Sequence, residues 1–266
     1  MITTQALPLA KIGTSPAPRP VLPPCFMNTD TICGTNAVAA LFKQRPEAAQ
    51  RLFYTEEQRL VAGPYCAQLA KLRKPYRLLN TDEMNRACGT THHGGIAVVA
   101  DSRKILPASL DTIPHGKLLV AVDGIGNPHN LGAIARSAAF FGAESLLLHD
   151  IPGAASLSDA AYRVAEGGFE FLKIFRTRDL ALTLSELTPL YRSVAASTNP
   201  GSQPVQNLPL DRPIALVLGH EETGISDHVL KACRREVHIS GTGNIQSLNV
   251  ATAAAVLLAT VTVVRK

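Results

Sequence analysis

Polar side chains that could hold or orient a small ligand accompany glycines in three segments near predicted strand ends. These segments lie at 130–136, 218–225 and 239–250. Glycine lets the backbone approach a ligand closely, because it has no Cβ atom. Three such loops on one sheet predict a site for a mostly apolar small molecule with a few polar groups. The polar candidates in or beside these loops are Asn130, Glu221, Ser247 and Asn249.

Other common chemistries fit the residues less well. The sequence G-x-G-x-x-H from Gly124 lacks the third glycine of a dinucleotide-binding loop, which disfavours a nicotinamide-dependent dehydrogenase. The chain contains neither the phosphate-binding G-x-x-x-x-G-K-[ST] sequence nor the H-E-x-x-H sequence of zinc proteases. The neighbouring His92 and His93 would face opposite sides of a strand, so we interpret them as turn residues and assign no metal.

The elements that must position the polar candidates alternate between strand and helix from residue 117 onward. Strands that are apolar throughout, separated by helices, predict a parallel sheet covered on both faces. Ligands bind such sheets in loops at the carboxyl ends of strands, where the glycine-containing segments fall. We predict strands at 118–122, 145–149, 172–175, 192–196, 214–218 and 236–239, and helices at 131–141, 157–166, 178–187, 226–233 and 248–262.

A small α/β domain is predicted at 28–100, where short helical and strand-like runs alternate. Thr35 or Asn36 is expected to cap its first helix, and a later helix is expected to begin near Asn80, with Glu83 three residues on. Its predicted strands are 52–54, 77–79 and 96–100.

Proline-rich segments flank this small domain. Six prolines between Pro8 and Pro24 exclude a continuous helix or strand, so residues 1–27 are predicted to be a disordered tail. Prolines and a glycine at 101–116 predict a linker to a second domain at 117–266.

The charge distribution favours a polyanionic partner for the first part of the chain. The 266 residues carry a formal net charge of +5. Residues 1–100 hold 11 Lys+Arg against 6 Asp+Glu, whereas the remainder is balanced. A basic surface attracts phosphate groups at long range. The candidate phosphate contacts are Arg51, Arg59, Lys71, Arg73, Lys74 and Arg77.

Cysteine use and hydropathy favour a cytoplasmic protein. The five cysteines form no C-x-x-C pair and are odd in number, so neither a disulfide framework nor a zinc module is expected. The longest apolar stretch, 250–264, is shorter than the roughly 20 residues that a membrane span needs. The first residues lack the apolar core of a secretory signal. We therefore expect neither secretion nor a membrane span.

The three glycine-containing segments resemble the sequence motifs of the SpoU/TrmH family of RNA ribose 2′-O-methyltransferases. They match N-x-G-x-x-x-R at 130–136, G-x-E-x-x-G at 219–224 and G-x-x-x-S-L-N-V at 243–250. Residues 34–41 and 93–97 resemble the family's RNA-binding domain, whose fold is similar to a ribosomal protein. The resemblance implies S-adenosylmethionine as cofactor, RNA as partner, a homodimer, and an α/β parallel-sheet catalytic domain with a C-terminal trefoil knot (SPOUT-like).

The resemblance also implies a role for each motif residue in methyl transfer to a ribose 2′-hydroxyl. Arg136 is expected to hold the adjacent phosphate and stabilise the developing alkoxide, because a guanidinium stays protonated in proteins and is a poor proton acceptor. Asn130 is expected to orient the target nucleotide or Arg136, and Glu221 to pair with Arg136 or with Asn130. Ser247 and Asn249 are expected to shape the site or to cap the last helix.

The sequence departs from the family pattern at two places, and the resemblance also implies a set of cofactor contacts. Ser240 and Gly241 stand where the family usually has Pro-Met, and Ala165-Glu166-Gly167-Gly168 replaces a common small-residue pattern. The first departure leaves open a non-catalytic RNA-binding or ribosome-assembly factor that retains the fold. The implied cofactor contacts are Ser197, Gly219, Gly224, Ile239 and Leu248.

Overall fold

The computed structural model describes residues 29–263, which form two sheets with helices packed against them. The tail predicted at 1–27 lies outside the described residues. The strands are β1 Thr29–Cys33, β2 Ala49–Tyr54, β3 Tyr76–Leu78, β4 Ile96–Asp101, β5 Leu106–Pro107, β6 Leu118–Asp123, β7 Ser145–His149, β8 Lys173–Thr177, β9 Arg192–Ala196, β10 Gln203–Pro204, β11 Ile214–Gly219 and β12 Arg235–His238. The helices are α1 Thr35–Gln44, α2 Arg59–Lys71, α3 Thr81–Cys88, α4 Pro128–Phe140, α5 Asp159–Ala165, α6 Leu180–Glu186, α7 Asp227–Ala232 and α8 Val250–Val263.

The first sheet is mixed, with four strands in the order β1-β4-β2-β3. Strand β4 pairs antiparallel with β1 and β2, whereas β3 runs parallel to β2. Helix α3 begins where the sequence predicts, since Asn80 and Glu83 form a reciprocal capping box. Strand β1 is absent from the sequence-based prediction, and only its last two residues are buried, so it has little apolar pattern to reveal it.

The cap predicted for α1 is wrong. Gly34 occupies the N-cap position with a φ of +96°, and no side chain caps the helix. That backbone conformation favours glycine over residues with a Cβ atom. Asn36 instead reaches away from the helix, and its Nδ2 donates a hydrogen bond to Oε2 of Glu166, 3.0 Å away.

The second sheet has eight strands in the order β10-β12-β9-β11-β6-β7-β8-β5, and every pairing is parallel. Strands β6 and β11 are central and buried at every position. The predicted parallel sheet with both faces covered is therefore confirmed. Helix α4 begins at Pro128 rather than at residue 131, because proline suits the first helical position and Oδ1 of Asn127 caps the helix.

The linker predicted at 101–116 contributes to both sheets. Asp101 is the last residue of β4, and β5 pairs with β8 at the edge of the second sheet. Ile113 is buried in the core beneath that sheet. The segment thus joins the two parts of the structure through paired and buried residues rather than as an extended connection.

Buried polar contacts hold the part of the chain that carries the first sheet against α5 and the segment that follows it. Arg45 holds Glu170 through Nε at 2.7 Å and Nη2 at 3.0 Å, and Nη1 of Arg103 lies 2.9 Å from the same carboxylate. Only 1% of the Glu170 side chain is exposed. The hydroxyl of Tyr162, on α5, donates to Asp30 of β1 at 2.9 Å. Charge-assisted hydrogen bonds of this kind are stronger than neutral ones and restrict relative motion of the two parts.

Candidate functional site

Loops from neighbouring strands meet at one edge of the second sheet. Strands β12, β9, β11 and β6 are adjacent and parallel, so their carboxyl ends lie on the same side. The first motif follows β6, the second follows β11, and the third lies between β12 and α8. The sheet therefore brings the three motif segments together.

One residue from each motif segment takes part in a continuous hydrogen-bonded chain. Nδ2 of Asn130 donates to Oε1 of Glu221 at 2.7 Å, and Nδ2 of Asn249 donates to Oδ1 of Asn130 at 3.2 Å. Of the two partners expected for Glu221, the structure shows Asn130. Because Asn130 uses both ends of its amide, its orientation is fixed by the other two side chains.

Glu221 also holds the loop that precedes α4. Its carboxylate accepts hydrogen bonds from the backbone N–H groups of Gly126, at 3.1 Å, and Asn127, at 3.2 Å. Burial raises the pKa of this carboxyl, but the hydrogen bonds from Asn130 and from the two backbone amides outweigh burial and leave the pKa below its ordinary value. Glu221 is therefore an ionised acceptor that organises the loop, and it is a weak base at neutral pH.

Arg136 lies apart from this chain of hydrogen bonds. It follows Asn130 by six residues on α4, which at about 3.6 residues per turn places it on another face of the helix. Its Nη1 lies 2.9 Å from Oε1 of Glu166, the residue that ends α5. The expected alternative in which Glu221 pairs with Arg136 is not the arrangement found.

The third motif ends at the start of α8. Oδ1 of Asn249 accepts hydrogen bonds from the N–H groups of Ala251, at 2.9 Å, and Thr252, at 3.4 Å. Asn249 therefore caps the helix with its oxygen while its nitrogen contacts Asn130. Ser247 and Leu248 are both exposed beside this cap.

The two glycines of the second motif shape a tight turn. His220 and Gly224 exchange backbone hydrogen bonds of 2.9 Å, and Gly224 has a φ of +73°. A Cβ atom on Gly219 would lie 2.2 Å from the carbonyl carbon of Gly224. Gly219 thus permits the close packing of the loop that carries Glu221.

Two of the residues expected to contact a cofactor, Ile239 and Leu248, lie beside and within an exposed segment, residues 240–249. Ser197 follows β9, and its N–H donates to the carbonyl of Val237 on β12, with Ile239 two residues further on. Residues 240–249 are exposed, including apolar Ile245 at 79% and Leu248 at 48%. A segment that combines polar residues with exposed apolar side chains can provide the contacts that an adenosyl group with a polar amino-acid tail needs. The donor set therefore fits S-adenosylmethionine.

A second polar cluster, which the sequence analysis missed, lies at the ends of β6 and β7. Oδ1 of Asp123 is 2.6 Å from Nδ1 of His149, and Oδ2 accepts from the N–H and the hydroxyl of Ser226, each at 2.8 Å. Asp123 and Ser226 line a cavity of about 180 Å³, with His220 on its wall. The available signal was a polar residue closing each of two adjacent apolar strands.

The contacts within this cluster shift the pKa values of Asp123 and His149 in opposite directions. Burial raises the pKa of Asp123, but hydrogen bonds from His149 and Ser226 outweigh it and leave the pKa below its usual value. The hydrogen bond to Asp123 raises the pKa of His149 against the opposing effect of burial. The pair is therefore stabilised in its charged form.

Two other expectations concern metals and membranes. Within residues 29–263, no group of three or more histidine, cysteine or acidic side chains is arranged to hold a metal ion. No helix in that part of the chain has the length and hydropathy to span a bilayer. His93 lies in a turn, as expected, where Nδ1 accepts from the N–H of Gly95 at 3.0 Å.

Comparison with protein families gives matches over both parts of the chain. Residues 117–259 match the SpoU rRNA Methylase family. Residues 31–106 match the family described as RNA 2′-O ribose methyltransferase substrate binding. The boundary between the two matches falls within the segment 101–116.

Individual relatives agree with these family matches. The chain is 31% identical over 229 residues to an uncharacterized tRNA/rRNA methyltransferase, YfiF, of Escherichia coli O157:H7, covering 85% of this chain and 66% of the relative. It is 29% identical over 231 residues to the 23S rRNA (guanosine-2′-O-)-methyltransferase RlmB of Nitrosomonas europaea, covering 85% and 88%. The chain thus spans slightly less than two thirds of the first relative.

A solved structure has the same fold. The SpoU methyltransferase AviRb of Streptomyces viridochromogenes, in complex with the cofactor AdoMet, superposes with a TM-score of 0.70. The match covers 90% of this chain and 91% of AviRb at 22% sequence identity. At that identity, the likeness establishes the shared architecture of both sheets and not the chemistry.

Proposed function

Because the chain belongs to the SpoU rRNA methylase family, we propose that it transfers a methyl group from S-adenosylmethionine to a ribose 2′-hydroxyl of ribosomal or transfer RNA. The observation that carries this proposal is the chain of hydrogen bonds from Asn249 through Asn130 to Glu221. It joins all three motif segments at the carboxyl edge of a parallel sheet, where ligands of such sheets bind.

The cofactor would be held by the loops that follow β9, β11 and β12. Ser197, Gly219, Gly224, Ile239 and Leu248 stand at these positions. When bound, S-adenosylmethionine supplies an electrophilic methyl group on its sulfonium. Asn249 and Glu221 hold the loops that follow β12 and β11 against Asn130. These loops therefore need little further ordering when the cofactor binds.

The residues of α4 would bind the RNA at the reacting ribose. Asn130 is fixed at the start of the helix by both of its amide bonds, so it can orient a nucleotide without moving. Arg136 is an exposed cation that can hold a phosphate through two parallel hydrogen bonds and stabilise negative charge developing on the 2′-oxygen. The low basicity of guanidinium means that the hydroxyl proton leaves to another acceptor.

The first sheet would bind RNA along its β3 edge. Lys71, Arg73 and Arg77 are exposed on and before this strand, and Tyr76 between them is 44% exposed. Cations and an exposed aromatic ring along one edge suit both phosphates and unstacked bases. Arg59, by contrast, is paired with Glu56 at 2.7 Å and contributes less free charge.

The assembly expected for this protein is a homodimer in the cytoplasm. Phe140 at the end of α4 is 82% exposed and Val256 on α8 is 38% exposed, which leaves apolar surface for a second copy of the chain. The four cysteines among the described residues are free thiols, as suits a reducing compartment. Sedimentation equilibrium would test the homodimer. The trefoil knot implied by the family stays a prediction.

A non-catalytic RNA-binding factor is the second candidate. The observation that favours it is the pairing of Arg136 with Glu166 rather than with the motif residues. Ser240 and Gly241, which replace the usual Pro-Met, also lie in the exposed segment that would contact the cofactor.

Titration calorimetry with S-adenosylmethionine, followed by transfer of a labelled methyl group to total RNA, separates these functions. We expect saturable cofactor binding, label in RNA and a new 2′-O-methyl nucleotide at a defined position. Cofactor binding without label in any RNA would favour the binding factor. The absence of cofactor binding would contradict the methyltransferase.

A further inference from the structure

Glu166 connects the candidate catalytic arginine to helix α1. One carboxylate oxygen, Oε1, lies 2.9 Å from Nη1 of Arg136, and the other, Oε2, accepts a hydrogen bond from Nδ2 of Asn36 at 3.0 Å. Asn36 stands in the first turn of α1, which belongs to the part of the chain that matches the substrate-binding family. Two polar contacts therefore link that part to Arg136.

The backbone around Glu166 holds its carboxylate in place. Glu166 ends α5 with a φ of +43°, a left-handed conformation that residues with a Cβ atom adopt infrequently. The next residue, Gly167, has a φ of +89° and packs so closely that a Cβ atom there would lie 2.5 Å from Cβ of Ala40 on α1. A Cβ atom on Gly168 would lie 2.8 Å from Cα of Arg136. The segment is thus wedged between α1 and α4, which fixes the direction of the Glu166 side chain.

The ion pair itself is too exposed to be explained by stability. The side chains of Arg136 and Glu166 are 56% and 40% exposed, and ion pairs in such positions contribute little to stability. The residues implied to act in catalysis are Asn130, Arg136, Glu221, Ser247 and Asn249. Among the described residues, only Arg136 of this set pairs with a carboxylate that lies outside the three motifs. Because the ion pair adds little stability, we attribute its presence to the orientation that Glu166 gives to the guanidinium of Arg136.

We propose that Glu166 is a positioning residue for Arg136, and that Asn36 connects this positioning to the substrate-binding part of the chain. The proposal rests on the proposed function, since it requires Arg136 to act on RNA. Glu166 holds one edge of the guanidinium and leaves the other edge for a phosphate, while Asn36 fixes the second carboxylate oxygen. RNA bound by the substrate-binding part of the chain is thereby coupled, through Asn36, to the orientation of the arginine.

The test measures single-turnover methyl transfer, RNA affinity and thermal stability for Glu166→Gln and Asn36→Ala. Glutamine keeps the length and the backbone demands of Glu166 but loses the charge. We expect the rate to fall about tenfold for Glu166→Gln and about threefold for Asn36→Ala, with RNA affinity unchanged within about twofold. Asp211→Asn is the matched control, because Asp211 is also an exposed carboxylate and lies 2.7 Å from Arg192. Arg192 is the first residue of β9, so this pair lies at the amino ends of the parallel strands, away from the motif loops.

A double-variant cycle shows whether Glu166 acts through Arg136. If it does, Glu166→Gln should slow Arg136→Lys by less than twofold, because lysine lacks the planar guanidinium that Glu166 is proposed to orient. Full additivity of the two rate effects would overturn the proposal, as would a faster rate or tighter RNA binding in Glu166→Gln, which simple removal of a negative charge predicts.

The same experiment distinguishes failure of the proposal from failure of the function. A wild-type rate in Arg136→Lys and Arg136→Ala would contradict the role of Arg136 and with it the proposed mechanism. A slow Arg136→Lys combined with a wild-type rate in Glu166→Gln would overturn the positioning role alone. Unchanged melting temperatures in the variants exclude unfolding as the cause.

Discussion

The side-chain amide of Asn249 donates a hydrogen bond to the amide oxygen of Asn130, 119 residues earlier in the chain. The same Asn130 donates to Glu221, so the three residues orient one another through direct contacts. Each side-chain amide or carboxylate in this network acts as a defined donor or acceptor. Substitution of one of these side chains should therefore disturb the hydrogen bonds of the other two.

Glu221→Gln should weaken cofactor binding and slow methyl transfer. Glutamine has one acceptor oxygen and a donor NH2 group, whereas Glu221 accepts from Asn130 and from the N–H groups of Gly126 and Asn127. At least one donor would face another donor, which costs about 1 kcal/mol for a partly exposed group and disorders the loop. Calorimetry should show at least a fivefold weaker affinity for S-adenosylmethionine. The neighbouring Glu222→Gln, whose carboxylate is exposed, should bind as the wild type does, and equal losses in both variants would argue against the specific role of Glu221.

Arg136→Ala should abolish methyl transfer and leave cofactor affinity within about 1 kcal/mol, because phosphate binding and cofactor binding use different side chains. Arg136 contacts Glu166 and lies on another face of α4 from the motif network. Calorimetry and labelled transfer measure the two quantities separately. Loss of cofactor binding in this variant would contradict the assignment, and Arg163→Ala, which removes a cation from α5, serves as the control.

The pH dependence of stability should report on the pair of Asp123 and His149. The hydrogen bond to Asp123 raises the pKa of His149 in the folded state, so its stabilising effect is complete below the unfolded pKa of about 6.5 and is lost as the pH rises through the folded value. The pKa of Asp123 lies below its ordinary value, so the carboxylate stays charged over this range, and its stabilising effect is lost only as the pH falls through the lowered folded value.

Urea denaturation of His149→Gln and the wild type at about pH 5.5 and pH 9 tests this relationship. The destabilisation caused by the substitution should be larger at the lower pH. His228→Gln is the control, since its side chain is 79% exposed and lies 3.8 Å from Asp179. An equal destabilisation by His149→Gln at both values of pH would show that the charge of His149 contributes nothing to folding.

Glu170→Gln should destabilise the protein by about 3–5 kcal/mol, the usual cost of removing one partner from a buried charged group. Glu170 is 1% exposed and neutralises Arg45 and Arg103, which would otherwise face each other without a counterion. Urea denaturation gives the free energy of unfolding, with the exposed Glu186→Gln as the control. A loss below about 1 kcal/mol would mean that water replaces the carboxylate and that the contact between the two parts is weak.

The sequence predicted the parallel sheet because β6 and β11 are apolar at nearly every position and helices separate the strands. It also predicted that Asn130, Glu221 and Asn249 would meet, since motif segments at the ends of parallel strands reach the same edge. Their roles in the reaction stay predictions.

The partner of Arg136 could not be predicted, because it depends on how α5 ends. Glu166 reaches Arg136 only through its left-handed backbone and the close packing of Gly167 on α1. Thr35 or Asn36 was expected to cap α1, but Gly34 takes that position, and the Asn36 amide contacts Glu166 instead. Contacts that depend on the packing of two separate parts leave no periodic pattern in the sequence.

Gly219→Ala should disrupt the candidate site, because Gly219 packs directly against the backbone of the turn that carries Glu221. The added Cβ atom would lie 2.2 Å from the carbonyl carbon of Gly224 and 2.3 Å from the nitrogen of Ile225, both backbone atoms that cannot rotate away. The turn must open, which moves Glu221 from Asn130 and breaks the backbone hydrogen bonds between His220 and Gly224.

We expect Gly219→Ala to lose about 1–3 kcal/mol of stability, as overpacked sites do, and to lose measurable binding of S-adenosylmethionine. Gly241→Ala provides the matched control for stability, because nothing lies within 4 Å of the position that its added methyl group would take, and its φ is not positive. Thermal unfolding of both variants and calorimetry of Gly219→Ala measure these effects. Wild-type stability and affinity in Gly219→Ala would mean that the turn relaxes freely, and that the position of Glu221 does not depend on the close approach of the two backbone segments.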